Sequence, residues 1–496
     1  MILAHDLGTS GDKASLYDGE GRLLASTFAG YATDYGPGGR AEQDPADWWQ
    51  AVTTATRELL ERASLRAKHI GGLSFSGQMQ SAVLLDGGGE PVRPAIIWAD
   101  SRAQAECAAL LEGVGLERAY AITGHRLSPT YTLAKCMWVR GNERQAWSRV
   151  RAVLLAKDYL AYRLTGLMAT DPSDASGTNA YDQVERRWSD ELLEAAGIEA
   201  TLFPEIVPST TVLGGVTAEA AAATGLVEGT PVVMGGGDGP CANLGAGVIG
   251  PADGAYTYLG SSAWISLATD APLHDPQMRF MTFDHVVPGR FAPTATMQAG
   301  GASLEWIGEI VAPGGGPDRL ARLVADAGEV QAAFDGLLFL PYLLGERSPL
   351  WDPRARGVFV GLARHHRAAH LVRAVLEGVA FNLRSCLLAF EENGRPIPAL
   401  DAIGGGARSD VWLQILADVW GRPVRRRSLV DEANSLGAAV VGGVATGILP
   451  SFEVAGQLSE VGAVFHPEEA RHARYGEHYE VFLDAYRRLR TLFHPL

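Results

Sequence analysis

The sequence predicts an α/β chain of two similar halves, and three observations carry that reading. The chain opens as apolar strand, glycine turn and second strand (MILAHDLGTSGDKASLYDG), and the pattern restarts at GAYTYLGSSAWISLATD. Each opening holds a Gly followed by two hydroxyl residues between apolar strands, LGTSG at 7–11 and LGSSA at 259–263. Two such turns at the heads of two similar halves indicate an internal duplication, with a boundary close to residue 250 that divides the chain into 1–249 and 250–496.

The elements follow in order. Residues 1–29 read as a β-meander, with Asp18-Gly19-Glu20-Gly21 as its second turn. A helix begins after Asp44, a good N-cap, with Pro45 at the first helical position and Trp48, Trp49, Val52, Leu59 and Leu60 on one apolar stripe. A strand around Ile70–Phe75 leads into the loop GQMQ and a strand pair ending in IIWAD at 96–100, and helical periodicity dominates 101–230. TPVVMGGGDGPCANLGAG reads as strand, glycine turn and helix. A third glycine turn, AIGGGARSD at 402–410, precedes a helix with Trp412, Leu413, Ile415 and Leu416 inward. Arg425, Arg426 and Arg427 form the one conspicuous basic run, expected on a solvated edge strand where charge discourages pairing.

Composition excludes several classes. At 496 residues, 47% hydrophobic and 20% charged, the chain is ordinary for a globular protein. Its net charge of −15 opposes a nucleic acid or an anionic membrane as partner. Cys107, Cys136, Cys241 and Cys386 lie far apart without a C-x-x-C pair, which suits a reducing cytoplasm and argues against structural zinc. The first residues lack the basic and apolar regions of a signal peptide, and no stretch is long and apolar enough to span a bilayer.

No G-x-x-x-x-G-K-[ST] loop and no G-x-G-x-x-G fingerprint in the required context occurs, so a phosphate must be held another way. The turns at 8–11 and 260–263 offer backbone N–H groups and the hydroxyls of Thr9, Ser10, Ser261 and Ser262, with Lys13 nearby. Asp6, just before the first turn, is placed to orient Mg²⁺ through water. Asp238 in GGGDGP stands at a helix start. It either caps that helix or, kept ionised by the helix N-terminus, accepts a hydroxyl proton in phosphoryl transfer.

These residues resemble the FGGY carbohydrate kinases, and within them the xylulokinases. The resemblance runs through DLGTSGDKA at 6–14, EQDPADWW at 42–49, SGQMQ at 76–80, PAIIWADSR at 94–102, KDYLAYRLTG at 157–166, GGGDG at 235–239, LPYLLGERSP at 340–349 and GGGARSDVWLQILAD at 404–418. GVFVGLARHHRAAHLVRAVLEG, from Gly357 to Gly378, is similar to the signature of the family's C-terminal domain. The resemblance implies two actin-like ATPase (ribonuclease H-like) domains with an interdomain cleft for a sugar, ATP and Mg²⁺. By position, Asp238 is then the general base and Asp6 the metal-orienting carboxylate. Gly8, Thr9, Ser10, Lys13, Gly260, Ser261 and Gly300 attend the phosphates, and Gly405, Gly406 and Asp410 the adenosine. Met79 and Gln80 belong to the sugar loop, with Trp98, Asp100 and Gly239 near it, and Glu346 with Arg347 is expected to form a structural ion pair.

Two departures bear on substrate. Gln80 stands where xylulokinases have His, and Gly239 where they have Asn, so two hydrogen-bonding groups are missing on the sugar side. The implied reaction is phosphorylation of D-xylulose to D-xylulose 5-phosphate by ATP, with another ketose, a polyol or a sugar acid as alternative acceptor. A homodimer is left open. The rivals from other classes are a silent sugar or nucleotide sensor on the same fold and an actin-like filament or chaperone ATPase.

Overall fold

The computed structural model describes residues 1–63, 66–316 and 318–494. The first sheet is built from β1 (Ile2–Leu7), β2 (Gly11–Tyr17), β3 (Leu23–Gly30), β4 (Gly72–Gly77), β5 (Val212–Gly215) and β6 (Pro231–Val233), in the order β5-β6-β4-β1-β2-β3, and the short β7 (Gly236–Gly237) also pairs with β4. The second sheet holds β8 (Ala255–Leu259), β9 (Ala263–Leu267), β10 (Met281–Asp284), β11 (Phe291–Met297), β12 (Leu400–Ile403), β13 (Val424–Arg427) and β14 (Val461–Phe465), ordered β10-β11-β9-β8-β12-β13-β14.

Apart from the extra strands β7 and β10, the two sheets share one pattern of strand directions, although the last two strands enter in opposite chain order, β5 before its inner neighbour β6 and β14 after its inner neighbour β13. In each, a three-strand antiparallel meander is followed by two parallel strands and a final antiparallel one. Both sheets are mixed, and helices pack on them. Strand β4 is buried along its whole length, as a central strand covered on both faces must be.

The expected first helix is α1 (Pro45–Arg62), where Asp44 accepts the Ala46 N–H and Trp48, Val52 and Leu59 are buried. The segment between β4 and β5 contributes α2 (Ala156–Thr165) and a side lobe whose own core includes Leu110, Leu133, Cys136, Leu192 and Phe203.

The arginine run departs from expectation. β13 is an inner strand, paired with β12 on one side and β14 on the other. Arg425 and Arg427 both reach the fully buried Asp401, with nitrogen to oxygen distances of 2.7 and 2.5 Å, and Arg426 reaches Asp410. The run neutralises a buried carboxylate instead of guarding an edge, and the edge strand is β14.

A division at 249/250 separates the sheets but not the packing. Helix α7 (Ala433–Ala445), from the second half, lies on β1 and β4 of the first sheet and against α3 (Asp238–Gly245). Leu436, Ala438, Val440 and Val441 share one buried cluster with Ile2, Ala4, Tyr17, Val233, Cys241 and Leu244, and Tyr17 Oη meets Ser435 Oγ at 2.8 Å. The two helices touch through glycines. A methyl group on Gly437 would lie 2.0 Å from the Cys241 carbonyl oxygen, and one on Gly245 1.8 Å from that of Ala433.

This seam is therefore intolerant of a single carbon. Gly437→Ala is expected to cost about 3 kcal/mol, the upper end of overpacking, because the obstacle is backbone and cannot swing aside. Gly476→Ala, in the C-terminal helix with nothing within 4 Å of the added carbon, is expected to gain up to about 1 kcal/mol from helix propensity. Urea denaturation of the two variants beside wild type measures both shifts.

Candidate active site

Asp6 and Asp238 lie at the carboxyl ends of two strands that flank β4, where open α/β sheets place their ligands. Asp6 stands opposite Ser76 in the parallel β1–β4 pair, and Gly236 stands opposite Ser76 from the other side. Two strand spacings put the two edges roughly 10 Å apart, room for a phosphoryl group and an attacking hydroxyl. Asp6 Oδ1 accepts Ser76 Oγ–H at 2.8 Å and Asn434 Nδ2–H at 3.4 Å. Burial raises the Asp6 carboxyl to about 6.

Asp238 is the first residue of α3, and Gly237 occupies the cap position. Its side chain does not cap the helix in the usual sense: Oδ1 accepts only the adjacent Gly239 N–H, at 2.7 Å. The helix N-terminus was expected to keep this group ionised. Burial first, and the charge of Asp6 second, outweigh it and raise the carboxyl to about 7. A carboxylate poised there is half-ionised at neutrality, the range in which a proton acceptor works well. Space beside Gly239 is open, with nothing within 4 Å of an added Cβ, so the position given to Asn in the family is emptied without being refilled.

Three glycine turns converge at the end of β8. Gly301 N–H donates to the Gly260 carbonyl at 2.7 Å and Ala302 N–H to that of Ser261 at 3.0 Å, which seats the start of α4 (Gly301–Val311) on the 260–262 turn beside Gly300. Gly406 packs against Leu259, the last residue of β8, and Gly405 is exposed. Asp410 opens α6 (Asp410–Trp420) and is tied to Arg426 at 2.5 Å.

On the opposite turn, Thr9 Oγ1 accepts Trp98 Nε1–H at 2.8 Å and keeps its own proton to donate, Gly8 N–H closes the turn onto Gly11, and Ser10 is exposed. Lys13 does not point into this turn. Its ammonium donates to the Asp431 carbonyl at 2.9 Å and lies 3.5 Å from Glu432, holding the segment that leads into α7.

The sugar-loop residues divide. Met79 is buried with Met281, Phe283 and Ala292, and half-buried Trp351 packs on them. Gln80 is held in the left-handed region, φ 64°, a costly conformation for a residue with a side chain. Lys135 secures it, donating to the Gln80 carbonyl at 2.7 Å and to that of Ile97 at 2.8 Å. Burial lowers this lysine to about 7.

Asp100 is withdrawn from any ligand. It is fully buried, bound bidentately by Arg102, and accepts the Ala41 N–H at 2.6 Å. It shapes the turn that presents Trp98.

The expected Glu346–Arg347 ion pair is absent. Glu346 accepts the backbone N–H groups of Gln298 and Arg347, both at 2.8 Å, and Asn382 Nδ2–H at 3.0 Å, and burial raises it to about 8. The Arg347 guanidinium has no carboxylate partner among the described residues. Other parts of the family signature are structural, since on α5 (Ala368–Glu392) Glu377 pairs with Arg373 at 2.7 Å and accepts from Tyr475.

Sequence reasoning missed an aromatic group beside Asp238. Trp264 Nε1–H donates to Tyr256 Oη at 2.8 Å, Tyr256 Oη–H to the Gly239 carbonyl at 3.3 Å, and Tyr258 stacks on Trp264 with centroids 4.0 Å apart. These residues come from β8 and β9, so the second sheet touches the residue after Asp238. Their alternation in AYTYL and AWISL resembles any half-buried strand, and no local signal distinguished them.

Among the described residues, one His and carboxylate cluster has metal-ligand spacing, formed by Asp335, His365 and His366. His366 Nδ1 accepts the Ala363 N–H at 2.9 Å, so in the neutral ring the proton sits on Nε2, which then has no lone pair for a metal.

Comparison with known proteins agrees with this geometry. Residues 1–245 match the FGGY family of carbohydrate kinases, N-terminal domain, and residues 255–446 the C-terminal domain of the same family. The xylulose kinase of Lactococcus lactis is 34% identical over 498 residues, covering 100% of this chain and 98% of the relative. The gluconokinase of Bacillus subtilis is 32% identical, covering 92% of this chain and 90% of the relative. The crystal structure of xylulose kinase from Rhodospirillum rubrum superposes with a TM-score of 0.91 at 32% identity, with full coverage of both chains. Two mixed sheets with one pattern of strand directions are those of an actin-like sugar kinase: the chain belongs to the FGGY family of carbohydrate kinases.

Proposed function

We propose that the protein transfers the γ-phosphoryl group of ATP to a hydroxyl of a ketose, D-xylulose giving D-xylulose 5-phosphate. The observation that carries this reading is the placement of Asp6 and Asp238 at the carboxyl end of one sheet, where Tyr256 of β8, the strand that leads into the Gly260 turn, reaches Gly239 from the other sheet. In the reaction the acceptor oxygen attacks phosphorus in line, the bond to the β-phosphate oxygen breaks and ADP leaves. The hydroxyl proton passes to a carboxylate oxygen of Asp238. Thr9 and the backbone N–H groups of the two hydroxyl-lined turns stabilise charge on the phosphoryl oxygens.

Asp6 suits Mg²⁺. It is an oxygen donor with Oδ2 free of any hydrogen bond among the described residues, in a site short of positive charge. Bound there through water, Mg²⁺ would supply that charge. The residues 1–249 then form the sugar side and 250–496 the nucleotide side of the cleft. Four buried, unbridged cysteines and the absence, among the described residues, of any helix able to cross a membrane support a cytoplasmic enzyme.

A second acceptor class, the sugar acids, is favoured by a separate observation. Arg126 lies over Trp351, 5.4 Å from the ring centre, beside the Met79 cluster, and neither it nor Arg347 has a carboxylate partner among the described residues. Two unpaired guanidiniums near the sugar loop suit an acceptor with a carboxylate of its own.

A coupled ADP-release screen over pentuloses, hexuloses, polyols and aldonates decides between them. Preference for D-xylulose supports the first reading, preference for an aldonate the second, and no sugar-dependent ADP release defeats both. Asp238→Ala is expected to lower kcat by about 10²- to 10⁴-fold with the fold intact. Since only the ionised form accepts a proton, kcat/KM for wild type should fall about tenfold per unit as pH drops through the raised pKa near 7, and level off above it. Gly239→Asn adds an amide to open space, and on the ketose reading it should raise kcat/KM for D-xylulose about tenfold, one hydrogen bond's worth.

A further inference from the structure

Behind the GGGDG turn lies a fully buried ionic cluster that the chemistry above does not use. Lys157 Nζ lies 2.6 Å from Asp158, 2.9 Å from Asp171 and 3.5 Å from Asp174, and all four side chains are sealed from solvent. Asp171 is also the N-cap of the short helix Pro172–Ala175. Its Oδ2 accepts three hydrogen bonds, from Ser173 Oγ–H at 2.5 Å, Ser209 Oγ–H at 2.7 Å and Ser173 N–H at 3.0 Å. Because the Ser173 hydroxyl proton is committed to Asp171, its oxygen faces the other way as an acceptor, and it takes the Gly237 N–H at 3.0 Å. Gly237 is the residue before Asp238.

The cluster also holds the turn from its second side. Gly77 pairs with Gly237 across β4 and β7, and the Cβ of Lys157 lies over Gly77, 2.8 Å from where a side chain there would begin. The backbone that carries Asp238 is thus fixed by the Gly237 N–H donating to Ser173 Oγ and by packing from Lys157.

We propose that Ser173, oriented by Asp171 and Lys157, is a positioning residue for the Asp238 carboxylate. This rests on the reading of Asp238 as proton acceptor. A buried charge cluster is a poor device for stability alone, because desolvation offsets most of its attraction and apolar packing would serve as well. Neither oxygen of Asp174 has a hydrogen-bond partner among the described residues. What charge supplies and packing does not is direction, here the orientation of one hydroxyl oxygen toward one N–H. A displacement of about 1 Å at a reacting group costs on the order of 10²-fold in rate, so the supporting contact has kinetic consequences out of proportion to its strength.

Ser173→Ala removes the acceptor and leaves Gly237 N–H unsatisfied. The expected result is a kcat lower by about 10- to 100-fold, with KM for MgATP and for the acceptor within about twofold of wild type. Ser209→Ala removes another donor from the same Asp171 oxygen without touching Gly237, and should keep kcat within about threefold while lowering the melting temperature comparably. In the Asp238→Ala background, Ser173→Ala should add little further loss, since the two act as one unit. The proposal is overturned if Ser173→Ala keeps wild-type kcat per folded molecule, if Ser209→Ala loses as much kcat, or if the loss is fully additive with Asp238→Ala. Wild-type turnover by Asp238→Ala itself would instead remove the base reading, a result distinguishable from the others.

Discussion

The structure depends on the contact between α3 and α7. These helices come from opposite halves of the chain, and they approach so closely at Gly245 and Gly437 that no side chain fits between them. Helix α3 begins with Asp238, while α7 rests on β1 and brings Asn434 to Asp6. One seam of backbone against backbone therefore connects both Asp6 and Asp238 to the second half of the chain. Packing of this density transmits displacement instead of absorbing it. Lys13 and Tyr17, which tie β2 to residues 431–435, add polar contacts along the same seam.

Electrostatics at the cleft follow from the same arrangement. Two carboxylates face a largely desolvated space, and among the described residues the nearby Lys13 is held by Asp431 and Glu432. Both are pushed up accordingly, to about 6 and about 7. Each raised carboxyl group binds its proton more tightly in the folded protein than in the unfolded chain. Its contribution to stability is thus complete below the ordinary carboxylate range near 4, and it is lost as pH rises through 6 and 7. The ligand-free protein holds these charges at a cost in stability, as functional sites commonly do.

The acceptor side shows the opposite tendency, toward firm support. Lys135, buried and pinned to two carbonyls, holds Gln80 in a strained conformation, and Asp100 with Arg102 fixes the turn of Trp98. Gln80 is held inside this frame, while Gly239 stands beside open space and is contacted from the second sheet by Tyr256.

Much of this was legible from local sequence. The meander, the Asp44–Pro45 helix start, the paired glycine turns and the GGGDG helix start are short-range features, set by turn chemistry and by the alternation of apolar residues within a few positions. The motifs carrying Asp6 and Asp238 are equally local. What lay beyond reach depends on neighbours distant in the chain: Arg425 and Arg427 paired with Asp401 on an inner strand, Asp100 consumed by Arg102, Glu346 satisfied without Arg347, and Asp238 raised by burial and Asp6. A charged residue reads the same in sequence whether solvent or a buried partner awaits it. Only the tertiary structure, by deciding burial and the nearest opposite charge, assigns it to one or the other.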